Sequence, residues 1–271
     1  LLFGHAAEQQ FFYREVNVMS FVKVPNILFD SYVTDDKTKV KYYNLKPVDY
    51  RIYLYLLSHS GFQDQGAAMM KLKYKTIASG CGISDAKTIR ASINRLAGQR
   101  LLKKQKRFNK YGHNAANGYR LAPLPGGFFM FDTRCFDFGL SVSDTCVLLY
   151  LLKCKDKEQL SFPSVSAIAY GVNLSEVTVR KSLTWLSQRI FLHISHYVCK
   201  SGDFGNNHYR LYSYSEQLER MSVYRKIRAK VPELFRIVRR WIGSALHFTI
   251  ASAFQHIFLN SEVGKKSPNT S

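Results

Sequence analysis

The sequence predicts an α+β fold, mostly helical, built from two tandem helix-turn-helix modules, each with a β-hairpin, and a C-terminal helical extension. Three observations predict it. Similar segments recur in the same order at one spacing, both copies show the same succession of apolar periods and turn residues, and the composition changes after Ser215.

The repeat comes first because it sets the domain plan. "NLKPVDYRIYLYLL" (Asn44–Leu57) parallels "GLSVSDTCVLLYLL" (Gly139–Leu152), aligning Asp49 with Asp144 and Tyr55 with Tyr150. "TIASGCGISDAKTIRASINRLAGQRLL" (Thr76–Leu102) parallels "AIAYGVNLSEVTVRKSLTWLSQRIF" (Ala167–Phe191), and "NGYRL" (Asn117–Leu121) returns as "NHYRL" (Asn207–Leu211). The offset stays between 90 and 95 residues, so each copy is read as one domain. The expected boundaries are 17–122, 123–215 and an extension over 216–271, with "PLPGG" (Pro123–Gly127) as the linker.

Each copy opens with a nearly continuous apolar helix, Lys46–Ser58 or Ser141–Lys153. A short helix follows, about Tyr74–Ser79 or Ser164–Tyr170, and then a tight turn, "GCGIS" or "GVNLS". Ser84 and Ser175 stand where an N-cap is expected, with a hydroxyl able to accept from the orphan amides of the third helix. In that helix Ile89, Ile93 and Leu96 recur at i, i+4 and i+7, and Val179, Leu183 and Leu186 repeat the stripe. "RLLKKQKRF" and "RIFLHISHYV" read as strands, "GYRLAP" and "HYRLYS" as their returns, and Asn109–Asn117 and Cys199–Asn207 as hairpin tips. Helix, helix, turn, helix and hairpin is the winged-helix order.

The charge narrows the partner. Thirty-nine Lys and Arg oppose nineteen Asp and Glu, a formal net charge of +20 over 271 residues. Such an excess repels itself in a compact chain and calls for a neutralising partner, with nucleic acid ahead of membrane surfaces or acidic proteins. Opposite the core stripe, the helical step places Lys87, Thr88, Ala91, Asn94 and Arg95 outward, with Arg90 at the edge. In the second copy it places Val177, Thr178, Lys181, Thr184 and Trp185 there, with Arg180 at the edge. Arg, Lys, Asn and Thr suit the donor and acceptor pattern of a major groove. The plainer reading is a solvated helix face; the helix-turn-helix order favours recognition.

Arg100–Arg120 adds seven basic residues and no acidic one, with Phe108 and Tyr111 interleaved, a ribbon suited to phosphates. Edge-protecting lysines would be the alternative, but they do not require an absence of Asp and Glu. The second hairpin is far less basic, with Lys200, Arg210 and Asp203. The expected contact set is Ser84, Lys87, Thr88, Arg90, Asn94, Arg95, Lys103, Lys104, Lys106, Arg107 and Lys110 in the first copy. In the second it is Ser175, Thr178, Arg180, Lys181 and Thr184.

No catalytic machinery is expected. The sequence has no phosphate-binding G-x-x-x-x-G-K-[ST], no paired histidines ahead of a nicking tyrosine, and no recognisable triad or carboxylate pair. No metal or other cofactor is expected either. The five cysteines form no C-x-x-C, and His193 and His196 on a strand would face opposite ways. No signal peptide is recognised, so a cytoplasmic setting is expected. Glu216–Arg240 is basic, and Trp241–Ser261 is uncharged but interrupted by His, Gln, Ser and Thr. Its apolar stripe favours burial against protein over an interfacial membrane helix.

Over Phe21–Ser215 the chain resembles the tandem winged-helix replication initiators of theta-type plasmids. "VKVPNILFD" resembles the entry to the first domain of Gram-positive initiators. "SDAKTIRASINRL" and "SEVTVRKSLTWL" are also similar to phage replisome organisers and conjugative-element regulators. The resemblance implies double-stranded DNA as partner, repeated origin sequences, a homodimer in some states and recruited host replication proteins. A transcriptional regulator or transfer accessory protein, and a protein-interaction module, remain open alternatives, because fold does not fix function.

Overall fold

The computed structural model describes residues 21–60, 69–196 and 205–222. The first copy runs β1 (Phe21–Pro25), a 3-10 turn (Asn26–Leu28), β2 (Ser31–Val33), β3 (Lys39–Lys41), α1 (Pro47–Ser58), β4 (Met70–Leu72), α2 (Tyr74–Cys81), α3 (Ala86–Gly98), β5 (Leu102–Gln105) and β6 (Asn117–Leu121). The second runs β7 (Phe128–Asp132), a 3-10 segment (Thr133–Phe138), α4 (Val142–Cys154), β8 (Leu160–Ser161), α5 (Val165–Val172), α6 (Glu176–Gln188), β9 (Leu192–Ser195) and β10 (His208–Leu211). Among the described residues the fold is α+β, with small antiparallel sheets beside the helices.

Described residues up to Gln217 belong to one compact unit, and a second begins at Leu218. Residues 214–222 are helical. Most of the expected tip of the second hairpin (Cys199–Asn207), including Lys200 and Asp203, lies outside the described residues. So do Cys199, residues 17–20 of the first expected domain and residues 223–271 of the expected extension.

Local chemistry explains the element ends. Pro47 opens α1 with its φ already helical, and the Asp49 carboxylate accepts the Lys46 amide at 2.9 Å. In α4, Ser141 and Asp144 form a full capping box. Helices α2 and α5 both end on a left-handed residue, Gly82 in one copy and Asn173 in the other. One expectation needs correction here: Ser84 does not cap α3. Asp85 does, accepting the amides of Lys87 and Thr88 at 2.9 and 3.0 Å. The first turn is one residue longer than the second, so Asp85 is the structural counterpart of Ser175, which does cap α6.

The two copies share one core. Their three-stranded sheets have the same order, β4-β6-β5 and β8-β10-β9. Strands β1 and β7 pair antiparallel with Lys23 opposite Met130 at the centre, burying Val22, Val24, Phe129 and Phe131 on one face. Phe29-Asp30 and Phe136-Asp137 follow these strands at matching positions, so the repeat reaches back to β1 and β7. Equivalent strands paired antiparallel about a central residue pair are what an approximate two-fold axis generates. Helices α1 and α4 pack together beside this ribbon, where Arg51 Nη1 donates to Thr145 Oγ1 at 2.7 Å.

The first copy also carries the hairpin β2–β3, which has no counterpart among the described residues of the second. From it Lys41 Nζ donates to Asn173 Oδ1 at 2.7 Å and Gly171 O at 3.3 Å, and Tyr170 Oη donates to Lys39 O. Asn173 Nδ2 in turn donates to Leu45 O at 2.7 Å. The turn of the second module is thereby fastened to the first. Burial lowers the Lys41 pKa to about 8.

Two glycines mark a close approach repeated in both copies. A Cβ on Gly80 would lie 2.0 Å from a Tyr55 ring carbon, and one on Gly171 would lie 2.0 Å from a Tyr150 ring carbon. Each tyrosine of the first helix thus lies over the second helix where only hydrogen fits.

Candidate nucleic-acid interface

Helix α3 buries Ile89, Ser92, Ile93 and Leu96 and exposes Lys87, Arg90, Ala91 and Asn94. Helix α6 reproduces the pattern ninety residues later. Val179, Ser182, Leu183 and Leu186 are buried, and Val177, Arg180, Lys181 and Thr184 are exposed. The apolar stripe has turned both helices the same way, leaving one long face of each in solvent.

Not every expected contact is equally available. Thr88 Oγ1 donates to Asp85 Oδ2 at 2.8 Å and belongs to the cap. The Lys87 amide, and after it that hydroxyl, hold the Asp85 carboxyl below its usual pKa. Ser84 is exposed in the turn before the helix. Arg95 turns inward, where Nε and Nη2 donate to the two oxygens of the buried Asp49 at 3.0 and 2.7 Å. Its guanidinium fixes α3 to α1, so Lys87, Arg90 and Asn94 are left as the outward polar groups of that helix. In the second copy Ser175 and Thr178 share a hydroxyl contact at the cap, and Arg180 pairs with Glu176 at 3.3 Å. Thr184 Oγ1 donates to the Arg180 carbonyl at 3.0 Å, while Lys181 projects from the same face.

The hairpin after α3 has a formed tip. Asn109 Oδ1 accepts the amides of Tyr111 and His113, both at 2.9 Å, and Gly112 takes a positive φ of 76°. This closure presents Lys110, Phe108 and Tyr111 to solvent, the last two being 62% and 70% exposed. Lys106 is exposed and Arg107 half-buried near the tip. At the base, Lys103 lies directly opposite Arg120 across the ladder. Like charges in that register repel, and a polyanion would relieve them.

Tyr74, at the start of α2, joins the hairpin to the helix. Lys104 Nζ lies 5.4 Å and the Arg90 guanidinium 5.9 Å from the centroid of its ring. One aromatic ring therefore gathers a cation from α3 and a cation from β5 into a single surface. Sequence reasoning missed Tyr74, because nothing in its local pattern marks it. It also passed over Lys71, Lys73 and Lys75, all exposed along β4 and the start of α2. Their alternation in "KLKYK" was the available signal.

On the second hairpin, His193 lies opposite Arg210, and His196 Nδ1 approaches Asn207 Oδ1 at 2.9 Å. Among the described residues no three His, Cys, Asp or Glu side chains gather into a metal-ligating group, and no helix is long and apolar enough to cross a membrane.

Fold and surface together define an α+β chain with two equivalent surface helices, one of them backed by a cationic hairpin. No family model matches the chain, and no curated protein matches it. Among solved structures it is similar to a possible transcriptional regulator from Methanosarcina mazei Go1, at 18% identity and a TM-score of 0.26, over 45% of this chain and 98% of that one. At that level of likeness the chain's own residues have to carry the functional reading.

Proposed function

We propose that the chain is a double-stranded DNA-binding protein of two winged-helix modules that acts by binding rather than by catalysis. Helices α3 and α6 lie in major grooves, with Lys87, Arg90 and Asn94 reading one half-site and Arg180, Lys181 and Thr184 the other. The first hairpin contributes Lys103, Lys104, Lys106, Arg107 and Lys110 to phosphates, which adds affinity without sequence preference. The observation that carries this reading is the Tyr74 ring, which brings Arg90 of the helix and Lys104 of the hairpin into one cationic surface.

The approximate two-fold relation between the modules favours inverted half-sites within each bound element, as in dimeric helix-turn-helix proteins. On the sequence resemblance, these elements are the repeats of a plasmid or mobile-element origin, where the protein initiates replication, recruits host replication proteins and forms homodimers. A transcriptional regulator or transfer accessory protein is the second reading, because a single inverted element is also the form of an operator.

Footprinting on the DNA flanking the gene tests the proposal. Two protected stretches about one helical turn apart (~10 bp) are expected within each element. Several such elements in direct array support initiation, and one element over a promoter supports regulation. Absence of protection at low salt contradicts DNA binding altogether.

A further inference from the structure

The two reading helices share a frame but not a chemistry. From the caps Asp85 and Ser175 through Leu96 and Leu186, α3 and α6 match position for position in burial. Their most outward stripes are therefore comparable residue by residue: Lys87, Ala91 and Asn94 in α3, against Val177, Lys181 and Thr184 in α6. All six are exposed. At the position where α3 offers the ammonium of Lys87, α6 offers an isopropyl group, 63% exposed.

A lone surface valine is ordinary in itself. Val177, however, lies two residues before the core residue Val179, about 200° around the helix, in line with Lys181 and Thr184 at i+4 and i+7. Neither core packing nor helix propensity accounts for a β-branched residue on that stripe. It has no donor or acceptor to offer a base edge. The one major-groove feature that rewards an apolar side chain is the 5-methyl group of thymine.

We infer that Val177 reads a thymine methyl in the half-site under α6, at the place where the half-site under α3 meets Lys87. The inference rests on the proposed docking of both helices in major grooves. It has a consequence for the target: the inverted half-sites are unequal, and the protein binds them in one orientation only. The ion pair between Arg180 and Glu176 sharpens the inequality, because no acidic side chain occupies the corresponding place in α3, where Ala86 stands.

The test begins with duplexes selected from a random library by the full chain. Each thymine of the selected site is then replaced in turn by deoxyuracil, which removes only the methyl group. One replacement is expected to weaken wild-type binding about fourfold, the equivalent of one buried methyl. Val177→Ala should bind the thymine site about as weakly and be indifferent to that same replacement. Val177→Lys should select a different base at that position only. The inference is overturned if no deoxyuracil replacement weakens wild-type binding, or if Val177→Ala responds to each as the wild type does. A library that yields no sequence at all overturns the docking reading as well. A clear sequence with two protected stretches, but no Val177-dependent methyl effect, overturns this inference alone.

Discussion

Arg95 on α3 grips the buried carboxylate of Asp49 on α1 with two hydrogen bonds of 2.7 and 3.0 Å. The same carboxylate accepts the Lys46 amide at the start of α1, so one acid caps its own helix and positions its neighbour. In the second copy Asp144 keeps the capping role, but Trp185 stands at the position of Arg95 and stacks near Phe191. Helix α3 is held by charge and α6 by an aromatic contact.

Removing the guanidinium leaves Asp49 charged in a buried site. Its side chain is 0% exposed, while that of Arg95 is 30% exposed, which softens the loss through solvent screening. Arg95→Met should therefore lower the unfolding free energy by about 2 kcal/mol, less than a fully buried pair would lose. Urea titration measures this. The ratio of affinities for selected and random duplexes should stay unchanged, because Arg95 positions the helix rather than touching DNA.

Gly80 and Gly171 admit no side chain beneath Tyr55 and Tyr150. Gly80→Ala and Gly171→Ala should each cost roughly 1–3 kcal/mol through overpacking, visible as a lower melting temperature. Trimming the ring in the double variant Gly80→Ala/Tyr55→Leu should recover part of the loss. An unchanged melting temperature in both single variants would contradict the repeated close approach.

These glycines also show how much of the molecule was legible in advance. The helices and return strands follow from apolar period and turn residues, so α1, α3, α4, α6, β6 and β10 appear close to where they were expected. Strands β4 and β8 were not legible, since two or three residues make no periodic signal and form a strand only by pairing with β6 and β10. The β1–β7 ribbon was missed for a related reason: its partners lie about a hundred residues apart, and no local pattern reports on pairing. Ser84 and Asp85 are both good capping residues, so propensity could not choose between them. Most of the outward set was legible from the helical step; the inward turns of Arg95 and of Trp185, which packs against Phe191, were not, because a long side chain can leave the face its Cα occupies.

Lys41 introduces a pH dependence between the modules. Desolvation lowers its pKa to about 8 in the folded chain, below its ordinary value of 10.5. As pH falls from about 10.5 to 8 the unfolded chain gains this proton first, so the stability Lys41 provides at high pH is lost over that window. The difference in urea midpoint between wild type and Lys41→Met should change across that range and stay flat below it. A constant difference from pH 7 to 10.5 would contradict the burial of Lys41 against Asn173.

The first hairpin should act without regard to sequence. Lys104→Ala or Arg107→Ala is expected to weaken binding to selected and random duplexes alike and to reduce the slope of log affinity against log salt by about one. Loss confined to the selected duplex would place these side chains on bases instead of phosphates.

The most direct test of a reading surface on α3 is Arg90→Ala, with affinity measured in parallel on selected and random duplexes at one fixed salt concentration. If Arg90 reads a base edge, the preference for the selected duplex falls about tenfold or more while random-duplex binding changes little. Equal loss on both duplexes would mean that the helix touches only the backbone, and the recognition surface would have to lie elsewhere.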